Sequence, residues 1–522
     1  MLLRSSGALL LSLCAACALQ IPFTARPSLD DAAPTSTSAR LTAGQGLKSL
    51  TLRHAIHLST TERHLPPSKR DYSSGELDVL AALTTHSNTQ QVKTRRIRTQ
   101  RPSSQAAFQA ARRAAYFTPQ RAMQLGRLPT LQELEDAALG STLEWDEVEV
   151  EVPDTRDVDT LAAFGKMTSN AYTTPDAGNW YDIGLGWNRS DSFGWKEDGI
   201  RGHVFADETN STVVIAIKGT SAFIVGGDSG TSKNDKINDN LFFSCCCARV
   251  DWSWSTVCDC YDGNRQCRQD CIEEAVMTKS AYYPVATDLY NNVSAIYPHA
   301  QIWLAGHSLG GALAAMLSRT YGVSSISFES PGDLLPSRRL HLPLPPPPRN
   351  RSSDHLAGYD SKRPKRSLDD ELTTHVYHTA DPIPNGVCTG AFSTCGLVGF
   401  ALESRCHTGK TIVYDTVGRL GWSVDIRTHS IHVIVDKLLI EDWGVRPSEV
   451  DGLTKGALDT GGLKRKRGGW FGWWPGRGRK DEENKDGDKE EEPEDGQHGG
   501  RGVPEPHFED ETCSDCEKWI YV

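Results

Sequence analysis

The sequence predicts an α/β fold built on a mostly parallel central sheet, and three observations carry that prediction. Apolar, strand-like runs alternate with helix-like stretches from Glu144 to about residue 460, a pattern that lays helices over parallel strands. One strand, Ile302-Trp303-Leu304-Ala305, runs straight into Gly306-His307-Ser308-Leu309-Gly310-Gly311 and then into an Ala/Leu-rich helix. A serine between glycines at a strand-to-helix joint is held up for use, because only small flanking residues let strand and helix approach closely. Downstream lie acidic and imidazole candidates in the order that an orienting carboxylate and a base would need.

The elements follow in chain order. Met1 to Arg4 give a short positive start to "GALLLSLCAACALQIPF". The apolar stretch is short against the roughly 20 residues that a bilayer span requires, and Ala16-Cys17-Ala18 has a cleavage-site pattern. Residues 1–23 read as a signal peptide or as an uncleaved signal anchor; both put the rest of the chain in the secretory lumen. Residues 24–143 read as a polar, Arg-rich lumenal stalk with some helix at Gln105 to Met123. No acidic residue occurs from Leu80 to Gln132, while Lys93, Arg95, Arg96, Arg98, Arg101, Arg112, Arg113, Arg121 and Arg127 do. Such a run is a solvated face or a surface for anionic lipid head groups.

Residues 144–460 read as the α/β domain. "LEWDEVEVEVPDT" alternates as a strand and "VDTLAAFGKMTSNAY" as an amphipathic helix. "GHVFADETNSTVVIAIKGTS" gives two strands with a turn at Asp207 to Asn210. After a Cys-rich insertion at 226–271 come the helix "YYPVATDLYNNVSAIYPHA", the serine joint, the strand Val323 to Ser330 and a Pro-rich loop at 331–366. "HVYHTADPIP" is strand and loop, "KTIVYDT" a strand, and "HSIHVIVDKLL" a final helix. Residues 461–522 read as a low-complexity charged tail ending in Cys513-x-x-Cys516. The net charge is 56 − 67 = −11 and the hydrophobic content 38%, which excludes a polytopic membrane protein; no nucleic-acid partner is expected.

Two features fit a lumenal location. Sequons stand at Asn188, Asn210, Asn292 and Asn350, expected to be glycosylated. Beyond Cys14 and Cys17 the chain has twelve clustered cysteines, which after a secretory leader read as disulfides of undetermined pairing. Zinc is the rival for Cys258-x-Cys260 and Cys513-x-x-Cys516, although neither pair has a partner at zinc-finger spacing.

A serine hydroxyl needs a base and the base an orienting carboxylate. Ser308 is the candidate nucleophile. Asp381, held in a Pro-bounded loop after an apolar strand, is the candidate carboxylate, with Asp415 and Asp425 as competitors. His429 is the candidate base, ahead of His432 one turn further on; His375, His378 and His407 lie earlier. The Leu309 amide at a helix start and Thr220 after "VVIAIKG" are the candidate oxyanion donors. The mechanism requires no cofactor and no metal. For lipid access, "DNLFFSC" with Trp252 and Trp254 reads as a lid, and Trp470, Phe471, Trp473 and Trp474 beside "KRKR" as a lipid interface or a chance aromatic patch.

"VVIAIKGTS", "IWLAGHSLGGALA" and "HTADPIP" resemble the class 3, fungal-type lipase family over roughly Asp157 to Trp443. "SFESPGD", "RRLHLPLPP", "CHTGKTIVYD" and the terminal "CSDCEKW" bring the chain nearest to the family's autophagic-body lipases of the fungal vacuole. The resemblance implies an α/β-hydrolase with Ser308, Asp381 and His429 as its triad. It implies hydrolysis of acyl esters of membrane phospholipids, with anionic lipids or phosphoinositides as further partners, and lysis of autophagic bodies and intralumenal vesicles. It also implies a single-pass type II glycoprotein of endosomes and multivesicular bodies bound for the vacuole. Two other readings stay open: a secreted esterase of extracellular esters, and an inert membrane-binding protein. Lipid specificity, oligomeric state and proteolytic activation are not readable from the residues.

Overall fold

The computed structural model describes residues 45–60, 62–72, 90–117, 126–172, 199–220, 231–249, 256–345, 367–390, 393–397, 399–441, 443, 502–509 and 513–522. The leader, Asn188, Asn350, Trp252, Trp254 and the Trp470–Trp474 patch lie outside the described residues. Among those described, no helix is long and apolar enough to cross a membrane.

The strands are β1 (Gln45–Leu58), β2 (Ser68–Asp71), β3 (Gln90–Pro102), β4 (Trp145–Pro153), β5 (Ile200–Ala206), β6 (Thr212–Ile217), β7 (Gln266–Cys267), β8 (Gln301–His307), β9 (Ser325–Phe328), β10 (Thr373–His378), β11 (Lys410–Tyr414), β12 (His507–Phe508) and β13 (Ile520–Tyr521). The helices used below are α1 (Gln105–Tyr116), α2 (Leu131–Gly140), α3 (Val158–Asn170), α4 (Thr231–Phe243), α5 (Gln269–Lys279), α6 (Tyr282–Ile296), α7 (Leu309–Tyr321) and α8 (Leu334–Arg339). One mixed sheet runs in the order β12-β11-β10-β9-β8-β6-β5-β1-β3-β4, with β2 on β1. Its centre is parallel: β6 pairs β8, β8 pairs β9, β9 pairs β10 and β10 pairs β11. The wing from β5 to β4 is antiparallel.

The parallel strands read as apolar runs because both faces are covered. On one face Val213, Ile215, Leu304 and Leu313 join the helices α6 and α7. On the other, Val214, Trp303, Ile326, Val376 and Ile412 pack on Leu161 and Phe164 of α3 and on Ile434 and Leu438 of the final helix. The joint after β8 is as tight as its glycines suggested: a Cβ at Gly306 would strike the carbonyl of Gly310, and one at Gly310 would strike that of Ile217.

Three boundaries differ from the sequence expectation. The stalk does not begin the folded unit at residue 144: β1 and β3 belong to the sheet, with Leu50, Leu52 and Val92 wholly buried. Several charges of the basic run are met within the fold. Lys93 pairs with Asp157 at 2.7 Å, Arg96 with Glu149 at 3.3 Å and Arg113 with Asp136 at 2.7 Å. The start of the Pro-rich loop is the helix α8, whose buried Arg339 donates to the carbonyls of Ser244 (2.8 Å) and Cys245 (2.7 Å). The tail's end is also part of the fold: β12 pairs β11 and β13 pairs β7. Among the described residues, six disulfides link Cys245–Cys516, Cys246–Cys267, Cys247–Cys258, Cys260–Cys271, Cys388–Cys395 and Cys406–Cys513. They engage both cysteine pairs that zinc would have needed. Of the expected lid, Leu241, Phe242 and Phe243 of α4 are fully buried in the core, while Trp252 and Trp254 lie outside the described residues.

Candidate active site

Open α/β sheets bind ligands beyond the carboxyl ends of their parallel strands, and most of the site residues follow such ends. Gly219 and Thr220 follow β6, Ser308 follows β8, Glu329 follows β9 and Asp381 follows β10. Ser308 takes φ 57° and ψ −130°, a strained conformation for a residue with a side chain and the hallmark of a nucleophile turn. Its amide donates to the Phe328 carbonyl at 3.0 Å, and its own carbonyl accepts from Gly311 (2.9 Å) and Ala312 (3.1 Å). The turn is thus fixed by the neighbouring strand and by the first turn of α7. The Leu309 amide opens that helix, where unpaired N–H groups favour developing negative charge.

Asp381 and His429 come together: His429 Nδ1 donates to Asp381 Oδ2 at 2.6 Å. Asp381 is fully buried and its Oδ1 accepts the Ile383 amide at 2.9 Å. Burial pushes its carboxyl up, but the His429 imidazole and the surrounding donors outweigh that and hold it below the usual carboxylate range. A carboxylate on Nδ1 fixes the tautomer and leaves Nε2 as the nitrogen that can accept a proton. The competitors are occupied elsewhere. Asp415 caps a short helix through Gly418 (2.7 Å), and Asp425 pairs with Arg427 at 2.6 Å on the surface. His432 sits one turn on beside Asp436 at 3.7 Å. His375 faces Asp333 at 3.3 Å, and His407 faces Glu509 at 2.8 Å.

Thr220 is buried, and its hydroxyl donates to Asp239 Oδ2 on α4 at 2.6 Å. Burial pushes the Asp239 carboxyl well up, and the Thr220 hydroxyl offsets part of that. The bond locks the rotamer of Thr220 beside the serine turn.

Sequence reasoning missed a second set of residues. His307 is buried and desolvation, then the nearby His429, pushes it down to about 3, so it is neutral. Its Nε2–H donates to the His429 carbonyl at 2.7 Å, which makes Nδ1 the acceptor for the Tyr172 hydroxyl at 2.8 Å. That hydroxyl accepts the Gly219 amide at 2.9 Å. One chain of hydrogen bonds therefore ties the loop of Thr220 to the backbone of His429. His307 was in view inside the serine motif; Tyr172, beyond the end of α3, carried no signal. Of the sequons, Asn210 is exposed in the turn after Asp207, and Asn292 is half-buried on α6 with its Nδ2 donating to the Asp288 carbonyl at 2.7 Å.

A family model for class 3 lipases matches residues 251–342, the stretch that carries β8, Ser308 and α7. The putative lipase ATG15 of Cryptococcus neoformans var. neoformans serotype D (strain B-3501A) is 48% identical over 394 residues, covering 72% of this chain and 70% of its own. That of Mycosarcoma maydis is 45% identical over 387 residues, covering 74% and 70%. Among solved structures, the Lip2 lipase of Yarrowia lipolytica aligns with 48% of this chain and 76% of its own at 14% identity, with a TM-score of 0.24. The chain belongs to the ATG15 lipases, a group within the class 3 lipase family.

Proposed function

We propose that this lipase hydrolyses the acyl esters of membrane phospholipids through Ser308, His429 and Asp381. Ser308 Oγ attacks the ester carbonyl while His429 Nε2 takes its proton. Asp381 holds the imidazole and balances the imidazolium charge. The tetrahedral oxyanion is met by the Leu309 amide and the Thr220 loop. His429 returns the proton to the departing alcohol, and water repeats the sequence on the acyl-enzyme. The observation that carries the reading is the 2.6 Å bond from His429 to a buried Asp381, at the strand ends that also present the strained Ser308.

The finer assignments rest on the ATG15 relationship and on the lumenal features. The enzyme lyses autophagic bodies and intralumenal vesicles of the vacuole. It travels the secretory pathway as a single-pass type II protein anchored by residues 1–23, and is glycosylated at Asn188, Asn210, Asn292 and Asn350. Six disulfides suit an oxidising lumen. Anionic lipids and phosphoinositides are the proposed further partners.

The test is fatty-acid release from phospholipid vesicles and from a triacylglycerol emulsion, with wild type beside Ser308→Ala. Vesicle cleavage that vanishes in the variant is expected. Cleavage of the emulsion alone would assign storage lipid instead, and wild-type-like hydrolysis by the variant would refute the nucleophile.

A further inference from the structure

Glu329, the residue after β9, has no role in the steps above, yet it is fully buried with φ 43°. Left-handed backbone is rare for glutamate, and such strain collects at functional sites. Its amide donates to the Val376 carbonyl at 3.0 Å, which pins it against β10. Neither of its carboxyl oxygens has a hydrogen-bond partner of good geometry among the described residues, and the His378 backbone offsets only a small part of the burial.

Its neighbours explain why. His378 Nε2 stands 3.8 Å from Oε1, but His378 is not a cation. Its Nδ1 accepts the Ala380 amide at 3.2 Å, so the ring proton is on Nε2, which faces the Thr428 carbonyl at 3.2 Å. Burial holds that imidazole below its ordinary basicity. Tyr377, from the same strand, is a buried phenol engaged with Glu509. A further charged group acting on it is an acceptor, Asp381, which itself binds His429. Burial and then the Asp381 charge push the Glu329 carboxyl well above the usual range.

We infer that Glu329 is a positioning residue that stays protonated and donates its carboxyl O–H to Asp381. The inference rests on the triad reading above. Without that further donor Asp381 keeps more of its charge, favours the imidazolium and takes His429 out of use as acid is added. A donor that draws on the Asp381 charge lets the same base work at lower pH.

The test uses the full-length glycoprotein with two substitutions, Glu329→Gln, which keeps a donor, and Glu329→Leu, which does not. Infrared difference spectra of wild type against Glu329→Gln are expected to show the C=O band of a protonated carboxyl near pH 6. On a soluble short-chain p-nitrophenyl ester, Glu329→Leu is expected to lose about tenfold in kcat, the size of one charge-assisted hydrogen bond. Its acid limb should move up by about one pH unit, and Glu329→Gln should bring the limb back toward wild type. If Glu329→Leu does not fold, the carboxyl band and the Glu329→Gln profile decide. A missing band, or a Glu329→Leu profile that keeps the wild-type acid limb, would overturn the inference. A wild type that neither hydrolyses the ester nor takes a phosphonate label on Ser308 would instead remove the triad reading, and the positioning role with it.

Discussion

The two halves of the sheet are built on opposite terms. In the parallel half, β6, β8, β9 and β10 are buried along nearly their whole length and end in polar groups held under strain or away from water: Thr220, Ser308, Glu329 and Asp381. In the antiparallel wing, Ile97, Val150 and Val152 cluster on one face, Val92 joins the main core on the other, and Arg96, Arg98, Glu147 and Glu149 are exposed. The wing's exposed ion pairs can be lost one at a time. The strand ends of the parallel half hold buried polar groups with few partners, such as Thr220 on Asp239 and Asp381 on His429 and the Ile383 amide. Chemistry is expected where a partner cannot be replaced by water.

Breaking each half in turn tests the contrast. The largest effect is expected from Asp381→Asn, which leaves shape intact but removes the charge that fixes the His429 tautomer. kcat on a soluble ester should fall by about 10³- to 10⁴-fold. A loss under tenfold would mean that another carboxylate orients the base. Thr220→Val keeps volume but removes the hydroxyl bonded to Asp239; a fall in kcat of roughly 10²-fold is expected, with KM little changed. An effect on thermal stability alone would assign Thr220 to packing.

A third change probes how the C-terminal segment is held. The pair of His407 and Glu509 lies under the segment tied by Cys406–Cys513. The nearby acids outweigh burial and raise His407 from 6.5 to about 9. Burial pushes Glu509 up, but His407 and Tyr377 outweigh it, lowering Glu509 from 4.5 to about 2. The raised imidazole stabilises the fold fully below 6.5, and that contribution is lost as pH rises through about 9. The depressed carboxyl stabilises it above 4.5, and that is lost as pH falls through about 2. The pair therefore holds best between pH 4.5 and 6.5. Glu509→Gln should cost about 2 kcal/mol in that window and much less at pH 9, measured as Tm against wild type. A Tm difference that does not vary with pH would reject the ion pair.

The smallest effect is expected in the wing. Arg96→Ala breaks an exposed pair with Glu149 and should change stability by no more than about 0.5 kcal/mol, with activity intact. A large loss of activity there would break the contrast.

The same contrast explains what was legible in the sequence. Parallel strands buried on both faces announce themselves as apolar runs, so β6, β8, β9, β10 and β11 could be read, and with them Ser308, Asp381 and His429 as candidates. The part of the wing before residue 144 was read as a stalk because β3, "QQVKTRRIRTQRP", shows mainly its outward charges. Its acidic complement "EWDEVEVEV" lies more than forty residues on in the chain, and register across that distance is a tertiary fact. The C-terminal strands were hidden for a similar reason: two residues of β12 have no pattern of their own, and their place is set by β11 and a disulfide. Glu329 and Tyr172 were missed because a buried acid and a second-layer phenol have no spacing rule; only the contact with Asp381, His307 or Gly219 gives them meaning.

The central claim is that Ser308 is a nucleophile activated through His429 and Asp381. The most direct measurement is covalent labelling of the full-length protein by an alkyl phosphonate ester, located by peptide mass spectrometry. The label is expected on Ser308 alone in wild type, absent in Ser308→Ala, and slowed in Asp381→Asn by about the factor by which kcat falls. Labelling of another residue, or of Ser308 at equal rates in wild type and Asp381→Asn, would contradict it.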